Sequence, residues 1–404
     1  MRRRWTALLT ALVAMLLVLA SCTGSQHQSP APVTSHQPAV AAPVPLKLAV
    51  GPKPATRNAP VSTEISTAVS GGRVTAVTLV DSAGHAVAGA PRPDGTSWVP
   101  AAPLAYNRSY TATVTAVGAE GQTTRATTNF STMRDPGRSR IGTGLYLQPG
   151  STYGVGMPVV VEFDEAIADR YKAAVERRLF VQSSPAQVGV WHWYGDRQVL
   201  YRPRDYWQPG TVLTVRIALS GFPVGTRFVD TDRSATVTIG ANQSMLVSNK
   251  TKTLSLYRNG ALVRSFPVSL GKPSTPTSSG NFVLMSREYS TLFKTSEYSI
   301  TAYYAERFTW GGQFLHAAPW SVGQQGQDNV SHGCVNLSTA DARWIYENTR
   351  VGDPLTVTGT EVHLTPADGW TVWDLSWADY LAGSALPHPE LHTSGDGGPG
   401  RAPA

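Results

Sequence analysis

The predicted folded part of the chain contains one cysteine and, upstream of it, two histidines that could activate it. Cys334 ends the segment Ser331-His332-Gly333-Cys334, and His316 lies upstream of that segment. A cysteine becomes a nucleophile when a base takes its proton, and imidazole suits this task near neutral pH. On an extended backbone His332 points to the same side as Cys334, whereas His316 can approach only through the fold. These residues predict a thiol nucleophile with either histidine as its base.

The residues around Cys334 suggest two ways of stabilising negative charge. Gly333 has no side chain, so the backbone there can bend and expose N–H groups to an oxyanion that forms on a carbonyl under attack. A helix is predicted to start after Ser338, because Ser338 and Asp341 match a capping box and apolar residues recur at helical spacing beyond them. The positive end of that helix would favour the thiolate form of Cys334.

Two other interpretations of these residues are weaker. A zinc site of His316, His332 and Cys334 lacks an evident fourth ligand, and the sequence contains neither His-Glu-x-x-His nor Cys-x-x-Cys. We therefore predict no metal at these residues. The other interpretation is a buried structural cysteine beside core histidines, and the local residues alone leave it open.

The spacing of these residues follows the pattern of a known catalytic domain. His316 is followed by fourteen residues and then by Ser-His-Gly-Cys-x-Asn, which ends at Asn336. This pattern resembles the signature of the L,D-transpeptidase (YkuD) catalytic domain. The stretch Ala-Pro-Trp-Ser-Val-Gly at residues 318–323 also resembles this family. The overall layout of the chain resembles that of the actinobacterial lipoprotein members of the family.

The resemblance implies acyl transfer between peptidoglycan stem peptides without a cofactor. Cys334 would attack the carbonyl that joins the third and fourth residues of a donor tetrapeptide, release the terminal D-alanine and remain as a thioester. His316 would be the general base. It would then activate the side-chain amine of a diamino acid on an acceptor stem, which gives a 3-3 cross-link. Carbapenem β-lactams are expected to acylate the same thiol.

Other positions carry over from the family one by one. His332 and Gly333 match positions that line the oxyanion site with the Cys334 N–H, and Ser331 matches a supporting polar position of the catalytic segment. The expected substrate-binding residues are Tyr298, Gly311, Gly312 and Asn336.

One position departs from the family pattern. Members often have serine directly after the base histidine, whereas Ala317 follows His316 here. If the group that orients the imidazole is the backbone carbonyl at this position, the substitution is harmless. If a hydroxyl group is needed, catalysis would be weaker.

Two other functions remain open from the sequence. An L,D-carboxypeptidase would form the same acyl-enzyme and pass the acyl group to water, so it would use the same residues. A non-catalytic wall-binding lipoprotein would use its immunoglobulin-like domains alone, and the complete signature speaks against it.

The N-terminal residues predict export and a lipid anchor. Three arginines precede an apolar run over residues 7–20, which is too short to span a bilayer comfortably and is typical of a secretory signal. Leu-Ala-Ser-Cys at residues 19–22 is similar to a lipobox, so we predict a signal peptide over residues 1–21 and lipidation of Cys22. An ordinary signal peptide is the alternative. The lipid-anchored protein would act in the cell wall, on the outer face of the membrane.

Cysteine count and charge narrow the possible partners. The chain has two cysteines, and a lipidated Cys22 leaves Cys334 without a disulfide partner. An exported protein with an unpaired thiol commonly uses that thiol chemically. The net charge of +7 includes three arginines of the leader and is spread without a basic block, so we predict no nucleic-acid partner.

Alternating apolar residues separated by turn residues predict a mostly β chain of several domains. Short strands between Gly and Asp turns favour immunoglobulin-like β-sandwiches over residues 46–134 and 135–240. A β-rich L,D-transpeptidase catalytic domain with one short helix is expected over residues 241–359. Asn259-Gly260 predicts a hairpin near its start.

The remaining segments are distinguished by composition. Residues 22–45 and 387–404 are rich in Pro, Gly and small polar residues, which predicts a flexible tether and a disordered tail. Residues 360–386 form a Trp-rich C-terminal extension that is expected to pack on the catalytic domain through Trp370, Trp373 and Trp377.

Overall fold

The computed structural model describes residues 44–294 and 299–388. This part of the chain is mostly β, as predicted, with three α-helices and two short 3-10 helices. The predicted signal peptide, Cys22, nearly all of the predicted tether and the tail from residue 389 lie outside the described residues. No helix within the described ranges is long and apolar enough to cross a membrane.

The first region is a sandwich of two four-stranded sheets. One sheet has the strand order β1-β3-β6-β5 and the other β2-β8-β7-β4. Alternation along the strands sends Ile65 and Trp98 of one sheet and Tyr110 and Phe130 of the other into a shared core. The strands are β1 (Lys47–Gly51), β2 (Thr56–Ala59), β3 (Ile65–Ser70), β4 (Gly72–Asp81), β5 (Gly89–Pro91), β6 (Ser97–Pro100), β7 (Ser109–Gly118) and β8 (Thr123–Thr132).

The second region is another sandwich, with sheets β10-β12-β15-β14 and β11-β19-β16-β13 and a small sheet β17-β18-β9. Its core includes Val160, Trp191, Trp207 and Val215. The elements are β9 (Arg140–Ile141), β10 (Thr143–Leu145), β11 (Thr152–Tyr153), β12 (Val159–Phe163), α1 (Asp169–Glu176), β13 (Leu179–Ser184), β14 (Gly189–Tyr194), β15 (Gln198–Pro203), β16 (Val212–Ile217), β17 (Pro223–Val224), β18 (Arg227–Val229) and β19 (Arg233–Ile239).

The third region contains a six-stranded sheet, β22-β21-β20-β28-β23-β29, and a four-stranded sheet, β24-β25-β26-β27. Both sheets contribute to one core, which includes Val247, Leu315 and Val357, and α2 covers it with Ile345. The elements are β20 (Gln243–Ser248), β21 (Thr253–Arg258), β22 (Ala261–Pro267), β23 (Ser278–Val283), β24 (Ser286–Lys294), β25 (Ser299–Arg307), β26 (Phe314–Ala317), β27 (Val335–Leu337), α2 (Thr339–Asn348), β28 (Pro354–Thr358) and β29 (Val362–His363).

Two local predictions in this region are confirmed. Asn259 and Gly260 both have positive φ and join β21 to β22, as the Asn-Gly hairpin signal requires. Ser338 is the N-cap of α2, because its hydroxyl group accepts the N–H of Asp341 at 3.1 Å.

The Trp-rich extension packs more widely than expected. It contains a 3-10 helix (Thr371–Asp374) and α3 (Trp377–Ala382), and Asp374 accepts the N–H of Asn281 on β23 at 2.9 Å. Trp370, Trp373 and Trp377, however, are buried in the core of the second sandwich. The indole N–H of Trp373 donates to the carbonyl oxygen of Gly156 there, at 2.7 Å. The extension therefore joins the second and third regions, and the expectation that its tryptophans pack on the third region alone is corrected.

Candidate active site

His316 and Cys334 are brought together by two parallel strands. In the pairing of β26 with β27, His316 lies opposite Asn336 and Leu315 lies opposite Val335, and Cys334 immediately precedes β27. A cavity of about 430 Å³ opens at this strand pair. Its lining residues are Phe293, Ile300, Gly312, His316, Trp320, Ser321, Gln324, Val330, Ser331, His332, Cys334 and Asn336.

The His316 imidazole is buried and held in one tautomer. Its Nδ1 lies 2.9 Å from the carbonyl oxygen of Ala317, which can only accept, so Nδ1 carries the proton and Nε2 is the free acceptor. Phe293 and Trp320 lie near the ring, at centroid distances of 5.2 and 6.1 Å. Burial lowers the pKa of His316 to about 4, against a smaller opposing effect of the Ala317 hydrogen bond. The imidazole is therefore neutral at pH 7.

The Cys334 thiol is neutral in the same conditions. Its Sγ donates to the carbonyl oxygen of Gly312 at 3.7 Å. Although the residue as a whole is partly exposed, burial of the thiol raises its pKa to about 11. A hydrogen bond from the Phe314 backbone and the positive charge of Arg307 act in the opposite direction and are smaller.

The predicted effect of the helix on Cys334 is wrong. Cys334 is followed by strand β27 and not by a helix, and α2 begins only at Thr339. A helix dipole acts mainly within the first turn, so the intervening strand takes the thiol out of its reach. Desolvation instead dominates the pKa of the thiol and favours its neutral form.

The Ser331 hydroxyl group forms two hydrogen bonds within residues 331–334, the catalytic segment. It donates to the carbonyl oxygen of Cys334 at 2.6 Å and accepts the Gly333 N–H at 3.2 Å. Gly333 has φ +116, a conformation that residues with side chains rarely adopt, so the bend depends on glycine. The Gly333 N–H thus binds Ser331 here, while the His332 side chain is exposed and lines the cavity.

The predicted substrate-binding residues lie in different surroundings. Gly312 lines the cavity, whereas the N–H of Gly311 donates to Asp368 of the extension at 2.6 Å. Asn336 lines the cavity but is 3% exposed, and its amide donates to the Ser321 hydroxyl group at 3.0 Å. Tyr298 lies outside the described residues, as does the predicted lipidation site Cys22.

Several residues at the site were not found from the sequence. Ser321 and Gln325 both donate to the carbonyl oxygen of Ala318, at 3.2 Å each, and so support the segment after His316. Arg307 donates to the carbonyl oxygens of Thr309 and Trp310 in the turn that carries Gly312. Such contacts depend on tertiary structure, which the local sequence pattern does not reveal.

The chemistry that the site offers is that of a thiol and an imidazole. Among the described residues, no group of three or more His, Cys, Asp or Glu side chains is placed to hold a metal ion. The cavity instead combines a thiol, a neutral imidazole of fixed tautomer and a bent backbone beside the thiol. This combination is typical of cysteine enzymes that transfer acyl groups.

Comparison with known proteins agrees with this class. The model of the L,D-transpeptidase catalytic domain matches residues 242–357, and that of a bacterial Ig domain matches residues 56–223. The chain is 34% identical to L,D-transpeptidase 2 of Mycobacterium tuberculosis, over 95% of this chain and 96% of that protein. It is 35% identical to L,D-transpeptidase 5 of the same species, over 82% of this chain and 74% of that protein. A solved structure of the L,D-transpeptidase LdtMt1 in complex with imipenem covers 54% of this chain and 99% of its own, with 35% identity and a TM-score of 0.46.

The chain therefore belongs to the L,D-transpeptidase family.

Proposed function

We propose that the protein is a peptidoglycan L,D-transpeptidase in which Cys334 is the nucleophile and His316 the general base. The observation that carries this proposal is that both residues line one cavity, His316 on β26 and Cys334 just before the paired strand β27, with Nε2 of the imidazole left unprotonated. Family membership supplies the reaction class. The thiol and the imidazole supply the chemistry.

His316 is favoured over His332 as the base. Nε2 of His332 lies 3.1 Å from the Lys272 ammonium group, which has hydrogen-bond donors and no acceptor. A nitrogen lone pair that already accepts from an ammonium group is a poor receiver of a second proton. His316 keeps its Nε2 lone pair for the thiol proton, because only Nδ1 binds the Ala317 carbonyl oxygen.

Acylation begins from two neutral groups. A thiol with a pKa of about 11 and an imidazole with a pKa of about 4 do not form an ion pair at pH 7. Proton transfer to His316 therefore accompanies the attack of Sγ on the donor carbonyl between the third and fourth stem residues. The backbone N–H groups of His332 and Cys334 stabilise the oxyanion, because the Gly333 N–H already donates to Ser331. As the intermediate collapses, the C–N bond breaks, D-alanine takes the proton from His316 and a thioester remains.

Deacylation reverses these roles. The side-chain amine of the third residue of an acceptor stem loses a proton to His316 and attacks the thioester. The C–S bond breaks, Cys334 regains the proton, and the new amide is the 3-3 cross-link. If water replaced the amine, the same site would act as an L,D-carboxypeptidase.

Carbapenems are a proposed class of covalent inhibitor. A thiol that attacks an amide is able to attack a strained lactam carbonyl, and ring opening leaves the drug bound to Cys334. Intact-mass spectrometry after carbapenem treatment should show one added drug molecule in the wild type and none in Cys334→Ala. An unmodified wild type after long incubation would contradict a working nucleophile.

The family acts on the cell wall, and we propose that a lipid on Cys22 holds this member to the outer face of the membrane. Lipidation with more than one acyl chain gives stable attachment. Cys22→Ser should move the protein from the membrane fraction to the soluble fraction. Unchanged fractionation would contradict the anchor.

The transpeptidase proposal is tested with purified protein and a disaccharide tetrapeptide, beside Cys334→Ala. Mass spectrometry should detect a Cys334-dependent dimer that has lost one D-alanine. A Cys334-dependent tripeptide without dimer would indicate the carboxypeptidase. Absence of any reaction would favour a binding protein.

A further inference from the structure

Lys272 and His332 form an unusual pair of basic groups at the cavity. The Lys272 Nζ lies 3.1 Å from Nε2 of His332. Because an ammonium group can only donate, Nε2 of the imidazole is the acceptor in this contact. An ammonium group has three N–H donors, and this contact uses one of them. Within the described residues, no carboxylate forms an ion pair with Lys272.

The backbone of Lys272 is fixed against the catalytic segment. Its N–H donates to the carbonyl oxygen of Ser331 at 2.9 Å, and its carbonyl oxygen accepts the Thr275 N–H at 2.9 Å. The Thr275 hydroxyl group donates to the same Ser331 carbonyl oxygen at 3.3 Å, and Gly271 forms a bridge with Ser331. Hydrogen bonds to Ser331, which precedes Cys334 by three residues in the chain, therefore fix the backbone of Lys272.

Lys272 brings positive charge to the His332 side of the cavity, while the charge of Arg307 acts on the Cys334 thiol. The described side chains that line the cavity include no Lys, Arg, Asp or Glu. His332 is one of the lining residues and is in contact with Lys272, and Cys334 is two residues further along the chain. An ammonium group at this place is suited to an anionic part of the substrate.

The proposed reaction supplies such an anion. In the donor tetrapeptide, the terminal carboxylate is attached to the carbon that is bonded to the leaving nitrogen. A carbapenem has a carboxylate at the equivalent position, on the carbon bonded to the lactam nitrogen. In both molecules the carboxylate carbon is only three bonds from the carbonyl carbon under attack, a span of about 4 Å by bond geometry. Whatever binds this carboxylate must lie close to Cys334.

We propose that Lys272, held by His332, binds the carboxylate next to the leaving nitrogen and so selects stems that end at the fourth residue. The proposal rests on the transpeptidase function proposed above. The ammonium group donates to the carboxylate, and the contact with Nε2 of His332 keeps the ammonium group in position. Lys272 thereby determines specificity without taking part in proton transfer.

The test compares two donors in the full-length protein purified in detergent. One tetrapeptide donor has the free terminal carboxylate and the other a terminal carboxamide. The wild type should prefer the carboxylate donor in kcat/KM by about 10-fold or more, as expected for loss of a charged hydrogen bond. Lys272→Gln should reduce this preference to near one, and Lys272→Arg should restore part of it. Lys53→Gln, which removes an exposed positive charge in the first region, should keep the full preference.

A second pair of donors distinguishes the other carboxylate of the stem. These donors differ at the second residue, which has either a free or an amidated carboxyl group. The assignment is overturned if Lys272→Gln keeps the preference for a terminal carboxylate. It is also overturned if Lys272→Gln changes only the preference at the second residue. Thermal unfolding of each variant verifies that it is folded. Failure of the proposed function would appear separately, because the wild type would then consume neither donor in a Cys334-dependent way.

Discussion

His316 Nδ1 donates to the carbonyl oxygen of Ala317 at 2.9 Å, so the residue after the base orients the imidazole through its backbone. The side chain at position 317 is a methyl group that is 2% exposed and belongs to the core of the third region. The alanine at a position where relatives often have serine therefore leaves the orienting contact intact.

Ala317→Ser should change kcat/KM for the tetrapeptide donor by less than about threefold, because the carbonyl acceptor is retained. The added hydroxyl group is buried, so a fall in stability of about 1 kcal/mol is expected. His316→Ala is the reference variant and should lose about 100-fold or more in kcat, as is typical when a general base is removed. A large gain in activity for Ala317→Ser would indicate that a hydroxyl group is needed at this position.

Asn336→Ala should lower kcat and thermal stability while leaving KM for the donor nearly unchanged. The buried amide donates to Ser321, whose hydroxyl group supports the Ala318 carbonyl oxygen, so the change disturbs the segment that orients His316. Loss of this buried hydrogen bond should cost about 1 to 3 kcal/mol. Gln324→Ala is a matched control that changes an exposed lining residue. A raised KM with unchanged stability would instead support the substrate contact that the family resemblance implies for Asn336.

Alkylation of Cys334 by iodoacetamide should be slow at neutral pH and should accelerate about tenfold per pH unit through pH 10. The thiol pKa of about 11 leaves about one thiolate in a thousand at pH 8. The chain denatured in urea is the control, and its rate should level off above about pH 9, as for an ordinary cysteine. A folded protein whose rate levels off below pH 8 would contain a preformed thiolate.

The sequence predicted features that depend on a few neighbouring residues. The Asn259-Gly260 turn was predicted because these residue types readily adopt the positive φ that the turn requires. The Ser338 cap was predicted because a serine hydroxyl group can accept an N–H of the first helical turn that has no partner within the helix. The strand β27 was missed because a run of three residues has too little periodicity to recognise. That omission also produced the wrong expectation about the helix and the Cys334 thiol.

Buried charged groups were beyond the reach of the sequence. Arg202, Glu306 and Asp353 are all nearly inaccessible to solvent, whereas residues of these types are normally exposed. Nothing in the local pattern distinguishes them from surface residues, because the partners that tolerate their burial are distant in the chain. Arg202, for example, contacts residues about 170 positions away.

Asp353→Asn should remove a pH dependence of stability between about pH 4 and pH 7. Gln243 and the Arg350 N–H donate to Oδ2 of Asp353, and burial raises the pKa of this carboxyl group to about 7. The unfolded chain releases the proton near pH 4, so the folded state binds more protons between these values and its stability falls as pH rises to 7. The loss amounts to at most about 4 kcal/mol.

Calorimetry at pH 4.5 and pH 8 measures this effect on Asp353. The difference in unfolding temperature, Asp353→Asn minus wild type, should be more positive at pH 8 than at pH 4.5. The reason is that the asparagine is neutral at both pH values, whereas the wild-type carboxyl group loses its proton between them. Effects of titrating groups that do not interact with Asp353 largely cancel in the comparison. An equal difference at the two pH values would show that Asp353 titrates normally.

Arg202→Met should loosen the Trp-rich extension. The Arg202 side chain donates to the carbonyl oxygens of Val372 and Leu375, at 3.1 and 3.4 Å, and its guanidinium carbon lies 4.1 Å from the ring centroid of Tyr380 and 4.5 Å from that of Trp373. Methionine fills much of the space but leaves buried carbonyl oxygens without donors, which should cost about 2 to 3 kcal/mol.

Limited proteolysis followed by mass spectrometry measures the loosening directly. In Arg202→Met, cleavage within residues 360–386 should become at least several times faster than in wild type, while the first sandwich remains resistant. Arg125→Met, which replaces an exposed arginine on β8, is the matched control and should behave as wild type. Arg202→Lys keeps the charge but not the planar guanidinium group, so its cleavage rate should lie between those of wild type and Arg202→Met. If Arg202→Met is cleaved at the wild-type rate, the extension is held by burial of its tryptophans alone, and the contacts of Arg202 contribute no measurable stability to it.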